Sequence, residues 1–223
     1  MVGMDENPQT LSLTPDEALD LLRREAEALL ALPGRRALGI AGGPGVGKST
    51  LAQQLVAQLG SVAAYVPMDG FHMKHAKLEE LGTVADKGAP HTFEAGAFAD
   101  FLAAVKAATG PISGPGYSRK IEDVVENAFT VPAETRLLVV EGNYLLLSTA
   151  PWGRGRPLPD RAIYIGVDRE TVRARLIRRH AEEGLFTEER NRAHIERTDL
   201  PNYDLVVRSK PRADIAIELV TSD

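Results

Sequence analysis

The feature that most constrains the fold of this chain is a glycine-rich stretch, GGPGVGKST, at residues 42–50. The residues before it, RALGIA at 36–41, are apolar, and a helical period resumes after it in KSTLAQQLVAQLG at 48–60. A strand, a tight loop and a helix in this order form the setting in which the pattern G-x-x-x-x-G-K-[ST] binds phosphate. The stretch therefore predicts a nucleoside triphosphate site at the end of a strand; the alternative is a glycine-rich turn that only caps a helix.

Each residue type in this loop has a chemical reason. Glycine lets backbone N–H groups turn toward phosphate oxygens without a Cβ in the way, and the start of the helix adds positive potential. The Lys48 ammonium reaches the outer phosphates of ATP, and the Ser49 hydroxyl binds Mg²⁺. The predicted ATP-binding residues are Gly42, Gly43, Pro44, Gly45, Val46, Gly47, Lys48, Ser49 and Thr50.

Composition narrows the function classes. The chain has 223 residues and a net charge of −5, which favours solubility and argues against broad binding to nucleic-acid backbone. It has no cysteine, which excludes disulfides, thiolate metal sites and cysteine nucleophiles. No apolar stretch approaches the roughly 18 residues of a membrane span, and the N-terminus lacks a secretory layout. We expect a cytoplasmic enzyme without nucleic-acid or membrane partners, and a homodimer is left open.

Hydrophobic patterning predicts an α/β fold. Near-continuous apolar runs are typical of strands covered on both faces by helices, and they imply a mostly parallel sheet. We therefore expect one three-layer P-loop NTPase domain over residues 1–223, with helices on both faces of the sheet. The runs that carry this prediction are VAAYVP at 62–67, RLLVVEG at 136–142 and RAIYIGV at 161–167.

The remaining segments complete this frame. Residues 14–32 predict an N-terminal helix that opens with a capping box, and 94–108 predict a second helix. Glycine and proline punctuate residues 110–132, which predicts an inserted antiparallel excursion or substrate loop. Two charged helices follow at 168–198 and form a lid region. The last apolar runs, DLVVR at 204–208 and IAIELV at 215–220, are interpreted as late strands.

Two acids follow predicted strands. In an open parallel sheet, ligands bind outside the carboxyl ends of the strands, so Asp69 and Glu141 should emerge on the same edge as Lys48. We assign Glu141 to the Mg²⁺ side of the site and Asp69 to the acceptor, whose hydroxyl it would position or deprotonate. The alternatives are a glutamate that only caps a loop and an Asx turn at the MDG sequence.

A metal triad is a further interpretation of the same region. Asp69, His72 and His75 stand three residues apart, a spacing that would suit a metal only on a regular helix. Gly70 breaks such a helix where the chain leaves a strand, and Mg²⁺ prefers oxygen ligands to imidazole. We therefore predict that His75 is a bystander and that the stretch faces the acceptor.

Six segments of the chain resemble a known family when they are taken in order: GGPGVGKST, PMDGFH, KGAPHTFE, PGYSRKIED, VVEGNYLL and RARLIRRHAEEG. Together they are similar to the phosphoribulokinase/uridine kinase group of P-loop kinases, which includes bacterial pantothenate kinase. The wording most resembles a nucleoside/nucleotide kinase-like branch, some of whose members are labelled fructose transport system kinases. The resemblance spans Leu38 to about Val207. The glycine at position 70 departs from the serine typical of uridine kinases and is closer to pantothenate kinase.

The resemblance implies roles for individual residues. Asp69 matches a general base for the substrate hydroxyl, and Arg175 and Arg178 match lid arginines that close over the phosphates. Because Arg175, Arg178 and Arg179 lie three and four apart on a predicted helix, they share one face. The alternative is a solvated helix whose arginines pair with Glu182 and Glu183. Lys48 completes the predicted catalytic set. The residues implied to line the acceptor pocket are His72, Lys87, His91, Phe93, Tyr117 and Arg119.

These features predict an ATP-dependent, Mg²⁺-dependent phosphotransferase that acts on an alcohol group of a small metabolite. A nucleoside, a pantothenate-like acid, a sugar and a sugar phosphate all stay open as acceptors. Lys87, His91 and Arg119 tilt the choice toward a negatively charged one. The alternatives are a P-loop ATPase or regulatory switch without an acceptor, and a nucleotide-binding partner module without catalysis. The partner module is disfavoured because all the residues that the predicted phosphoryl transfer needs are present.

Overall fold

A computed structural model describes residues 8–220 of the chain. Its eight strands are β1 (Thr10–Leu13), β2 (Arg36–Ala41), β3 (Ala63–Pro67), β4 (Ile112–Ser118), β5 (Asp123–Val131), β6 (Leu137–Gly142), β7 (Arg161–Gly166) and β8 (Ile215–Leu219). Six of them form a sheet in the order β1-β8-β7-β2-β6-β3, and every neighbouring pair in it is parallel. The predicted parallel sheet is confirmed.

Helices cover both faces of this sheet. They are α1 (Pro15–Leu30), α2 (Lys48–Leu59), α3 (His75–Leu81), α4 (Ala95–Ala107), α5 (Arg169–Glu183), α6 (Glu188–His194) and α7 (Leu200–Val207). Alternate residues of β2 point to opposite faces, so Leu38 and Ile40 join one apolar cluster and Ala37 and Ala41 join the other. The first cluster includes residues of α1, α2 and α5, and the second includes residues of α4. The result is the expected helix–sheet–helix arrangement.

Helix α1 shows how local sequence sets an element boundary. The Thr14 hydroxyl accepts a hydrogen bond from the Glu17 main-chain N–H at 3.3 Å, and a Glu17 carboxylate oxygen accepts one from the Thr14 N–H at 2.9 Å. This reciprocal pair satisfies two N–H groups that a helix start leaves unpaired, as the predicted capping box requires. The helix occupies residues 15–30 of the predicted 14–32.

Two elements near the ends of the chain differ from expectation. The DLVVR run is not a strand: residues 204–207 are the last half of α7, whose first turn contains Pro201. A short apolar run has no periodicity that distinguishes a strand from a buried helix. Both edges of β8 are already paired, one with β7 and the other with β1, so the run cannot join the sheet beside β8. Strand β1 was missed because it has only four residues, with alternate ones exposed.

The inserted segment is an antiparallel hairpin of β4 and β5, as the glycine and proline pattern predicted. Its register shifts between Gly114 and Gly116. The main chain of Pro115 at this irregularity lies so close to the turn after β3 that a Cβ on Gly70 would collide with the Pro115 carbonyl. The hairpin is thereby held against residues 68–71, beside the carboxyl edge of the sheet.

Across residues 8–220, every helix is too short or too polar to cross a membrane.

Candidate functional site

The glycine-rich loop leads from β2 directly into α2, which begins at Lys48. Gly47 precedes the helix with a φ of +99°, a backbone conformation that residues with a Cβ rarely adopt. This turn aims the first N–H groups of α2 at the space outside the sheet, where they form an anion-binding helix start. The loop residues that border this space are Pro44, Gly45, Gly47, Lys48, Ser49 and Thr50.

A cavity of about 500 Å³ opens beside the loop. The structure brings most of the predicted site residues to its wall, and these span more than 130 positions of sequence. His91 and Glu141 are not among them. The His91 side chain is 57% exposed, and its Nε2 lies 3.4 Å from the Asp86 carboxylate. The predicted residues outside the loop that line the cavity are Asp69, His72, Lys87, Phe93, Tyr117, Arg119, Arg175 and Arg178.

Lys48 and Glu141 form a buried ion pair behind the loop. The Lys48 Nζ lies 3.3 Å from Glu141 Oε1, and the Tyr65 hydroxyl donates a 2.6 Å hydrogen bond to Glu141 Oε2. Burial, reinforced by the carboxylates of Glu141 and Asp69, raises the pKa of Tyr65 well above its usual range, so the phenol remains a neutral donor. Glu141 therefore fixes the ammonium of Lys48, and both of its oxygens already have partners.

Asp69 lies in a short 3₁₀ turn, Met68–Phe71, that directly follows β3. Its main-chain carbonyl accepts a hydrogen bond from the His72 main-chain N–H at 3.2 Å and lies 2.7 Å from His72 Nδ1. A carbonyl oxygen can only accept, so Nδ1 must be the protonated ring nitrogen and Nε2 is free to accept. These bonds leave the Asp69 carboxylate on the cavity wall.

The His72 ring is sandwiched between two aromatic rings. Its centroid lies 3.9 Å from that of Phe93 and 4.5 Å from that of Tyr117. Burial lowers the pKa of His72 below its usual value, and the cations Lys87 and Arg119 act in the same direction although Asp69 opposes them. His72 is therefore a neutral, fixed side chain of the cavity wall.

Helix α5 contributes the arginines. The predicted shared face is present, since Arg175, Arg178 and Arg179 all border the cavity. Arg175 donates to the Val46 carbonyl at 3.2 Å, which places its guanidinium over the phosphate loop. Arg178 is the most exposed of the three, at 75% of its side chain, and its Nε lies 3.8 Å from Glu182. Arg175 is therefore better placed than Arg178 to reach a phosphate in the loop.

Arg119 joins the hairpin to the end of α5. Its guanidinium lies 3.4 Å from the Glu183 carboxylate, and the same carboxylate lies 3.8 Å from Arg179. One glutamate thus connects two cavity arginines from different elements, on the side of the cavity that Tyr117 also lines.

Several wall residues escaped the sequence reasoning. The Oδ1 of Asn143 is buried and has no hydrogen-bond partner within the described part of the chain. Its place two residues after Glu141, at the end of β6, was a usable signal. No sequence spacing pointed to the others, because the packing of α5, α6 and α7 brings most of them to the wall. They are Glu122, His180, His194, Asp199 and Asn202.

Residues 8–220 contain no cluster of three or more histidine, aspartate or glutamate side chains that could hold a metal ion. His75 begins α3 and faces Glu79 at 3.5 Å, apart from the cavity, so the rejected triad is absent. Beside the phosphate loop, the oxygen donors that follow the carboxyl ends of β2, β3 and β6 are the Ser49 hydroxyl, the Asp69 carboxylate and the orphaned Asn143 Oδ1. Such a sparse oxygen set fits Mg²⁺, which is usually held by one or two protein oxygens together with substrate phosphates and water.

Known proteins with similar sequences include two that are named as kinases. The chain is 34% identical over 216 residues to a Schizosaccharomyces pombe protein provisionally named uridine kinase C227.14, and the match covers 92% of each chain. It is 30% identical over 212 residues to pantothenate kinase of Rhodopseudomonas palustris strain TIE-1, covering 81% of this chain and 67% of that enzyme. No family model matches the chain.

Among solved structures, one from Silicibacter sp. TM1040 superimposes with a TM-score of 0.81 at 32% identity, covering 89% of this chain and 98% of that chain. It is provisionally described as a fructose transport system kinase. The shared architecture confirms the predicted fold class, a P-loop NTPase fold with a mostly parallel sheet.

Proposed function

This chain belongs to the P-loop kinase family that contains uridine and pantothenate kinases, and from that membership we propose that it transfers the γ-phosphoryl group of ATP to a hydroxyl of a small metabolite. One observation carries the proposal: the phosphate loop and Asp69 border the same cavity of about 500 Å³. That volume is in the range of small-molecule sites, and the loop occupies only one side of it.

The loop side of the cavity binds the nucleotide. Its N–H groups and the start of α2 surround the phosphates, and Lys48, fixed by Glu141, presents its ammonium to them. Arg175 lies across the loop and adds a guanidinium next to the transferred group. These fixed positive charges stabilise the negative charge that spreads over the phosphoryl oxygens in the transition state.

Asp69 acts on the acceptor. Its carboxylate takes the proton of the acceptor hydroxyl as the hydroxyl oxygen bonds to the γ-phosphorus. The bond between that phosphorus and the β–γ bridging oxygen breaks, and its electron pair leaves with ADP. The products are a phosphate monoester, ADP and one proton, which Asp69 later releases to water. Neutral His72, tied to the Asp69 carbonyl, keeps this turn in place.

The metal requirement is part of the same proposal. When bound, Mg²⁺ neutralises charge on the β- and γ-phosphate oxygens. Ser49 would hold it through its hydroxyl, while Glu141 would have to exchange Lys48 or Tyr65 to contact it directly. We also place the reaction in the cytoplasm, because it consumes ATP.

Two statements about organisation complete the proposal. Residues 1–223 act as one catalytic domain, and residues 168–198 act as a lid over the phosphates. The contact of Arg175 with Val46 and the contact of Arg119 with Glu183 support the lid, since both connect α5 to the opposite walls of the cavity.

Replacing Asp69 with Asn tests the proposed chemistry. Asn keeps the shape of the side chain but replaces one acceptor oxygen with an NH₂ donor and cannot take a proton, so we expect kcat to fall by about 10²- to 10⁴-fold. The Kd for ATP should stay within about twofold, because Asp69 does not hold the phosphates. Asp86→Asn is the matched control, since Asp86 pairs with His91 away from the cavity. Transfer at the wild-type rate by Asp69→Asn would refute the role of this residue.

A further inference from the structure

Six cations line the cavity, and two of them form no ion pair with a carboxylate of the described residues. Lys48 pairs with Glu141, Arg178 with Glu182, and Arg119 and Arg179 share Glu183. Arg175 contacts only carbonyl oxygens, and these belong to the phosphate loop. Among the described residues, Lys87 donates a hydrogen bond to the main-chain carbonyl of Glu122 and forms no ion pair. Arg175 is therefore available to bind the nucleotide phosphates. The role of the charge on Lys87, on the other side of the cavity, is not explained by the nucleotide.

The environment of Lys87 is unfavourable for an isolated charge. The side chain is half-buried, and burial lowers its pKa although the acids Glu122 and Asp123 act against this. Its single described acceptor satisfies one of its three N–H groups. A partly desolvated ammonium that forms no ion pair is costly to maintain unless a ligand provides a close negative charge.

Lys87 also lies on the acceptor side of the cavity. Its Nζ is 5.3 Å from the centroid of the Tyr117 ring, and that ring is 4.5 Å from the ring of His72. His72 is in turn bonded to the carbonyl of Asp69. These four residues form one continuous wall, so a compact acceptor with its hydroxyl at Asp69 extends along His72 and Tyr117 toward Lys87.

We infer that the acceptor is a small hydroxylated anion whose carboxylate or phosphate group binds the ammonium of Lys87. This inference rests on the proposed function. The other wall acids do not remove the need for such a group. Glu183 is shared by two arginines, and His180 faces Asp199 at 3.1 Å. The charges of Glu122 and Asp123 act on Lys87, but neither carboxylate forms an ion pair with it. A neutral nucleoside or sugar would leave Lys87 uncompensated.

The test compares acceptors that differ only in charge. Phosphate transfer from ATP is measured for glycerate against glycerol, pantothenate against pantothenol, and ribose 5-phosphate against ribose. The account predicts that kcat/KM is higher by about 10- to 100-fold for the charged member of a productive pair, the size of a charge-assisted hydrogen bond. The first two pairs report on a carboxylate and the third on a phosphate group.

Lys87→Met then removes the charge while keeping the apolar stem. We expect KM for the charged acceptor to rise by about 10- to 100-fold, with the KM for ATP within about twofold and the melting temperature retained. Lys87→Arg should recover part of the loss. Lys74→Met is the control, because Lys74 is exposed and pairs with Glu126 outside the cavity.

Three results would overturn the inference. If the neutral members are used as well as or better than the charged ones, the anion site is refuted while the proposed function stands. If Lys87→Met weakens both members equally, the residue only holds the main chain of Glu122. If no acceptor of either class is phosphorylated, the proposed function itself fails, and the anion site falls with it.

Discussion

At the scale of single residues, the proposed phosphoryl transfer depends on the turn that contains Asp69 and Gly70. The sequence predicts Asp69 at the carboxyl edge of the sheet, because it follows an apolar run of strand length. It does not reveal why position 70 is glycine, since Pro115 is brought there by a hairpin more than forty residues later. The pairing of Lys48 with Glu141 was equally hidden: both residues were predicted at the site, but their mutual contact is a property of adjacent parallel strands.

Gly70→Ala tests whether this turn requires a residue without a Cβ. The added Cβ would collide with the Pro115 carbonyl, so the hairpin or the turn must move. We expect a loss of about 3 kcal/mol in the free energy of unfolding, at the upper end of overpacking costs, together with a loss of transfer activity. Gly110→Ala is the control, because a Cβ there meets open space. If urea denaturation gives the two variants the same free energy of unfolding, the turn can accommodate a Cβ at position 70.

At the scale of elements, helix α5 was predicted from its charge pattern, but its orientation was not. Three arginines at helical spacing indicate a shared face, and the structure places that face on the cavity. Packing alone decides which of these arginines can reach a phosphate in the loop. It places Arg175 against the phosphate loop and leaves Arg178 exposed beside Glu182. The misassigned DLVVR run has a related cause, because a short apolar segment takes its structure from the partners it meets.

The two lid arginines should therefore differ in activity. We expect Arg175→Met to lower kcat by about 10²- to 10³-fold, the usual cost of removing one fixed donor to a developing negative charge. Arg178→Met should lower it by less than about tenfold, since most of the charge of this exposed side chain is screened by water. Single-turnover transfer rates for the two variants measure the difference. A larger effect at position 178 would mean that the helix turns in the active state.

At the scale of the whole molecule, the parallel sheet and its phosphate edge could be predicted from apolar runs and one loop. One edge of the sheet could not: β1 is too short to show a pattern, and the position of β8 beside it comes from pairing with both β7 and β1. Only some of the residues that line the cavity could be predicted from the sequence. Residues that end strands carry a positional signal, whereas Asp199, His194 and Asn202 reach the wall through the packing of helices.

The buried histidines predict how stability depends on pH. Burial lowers the pKa of both His72 and His194 below the usual histidine value of about 6.5. Between the folded and unfolded pKa values the unfolded chain binds more protons, so their contribution to stability is present above about pH 6.5 and is lost as pH falls toward the folded values. Urea denaturation between pH 8 and about pH 5.5 measures this loss.

A matched pair of variants assigns the effect. His72→Gln should reduce the slope of unfolding free energy against pH in this window, because the titrating group is gone. His194→Gln should reduce the slope as well, since burial also lowers the pKa of His194. Identical slopes for the wild type and His72→Gln would show that His72 has the same pKa in the folded and unfolded chain.

The most direct test of the account follows the fate of the phosphoryl group. The protein is incubated with ATP, Mg²⁺ and the hydroxy-acid and sugar phosphate acceptors named above, and the products are counted by ³¹P NMR. The account predicts one new phosphate monoester for each ADP formed, with ADP formation dependent on an acceptor. Release of inorganic phosphate in step with ADP, at a rate that no acceptor changes, would contradict it and identify an ATPase.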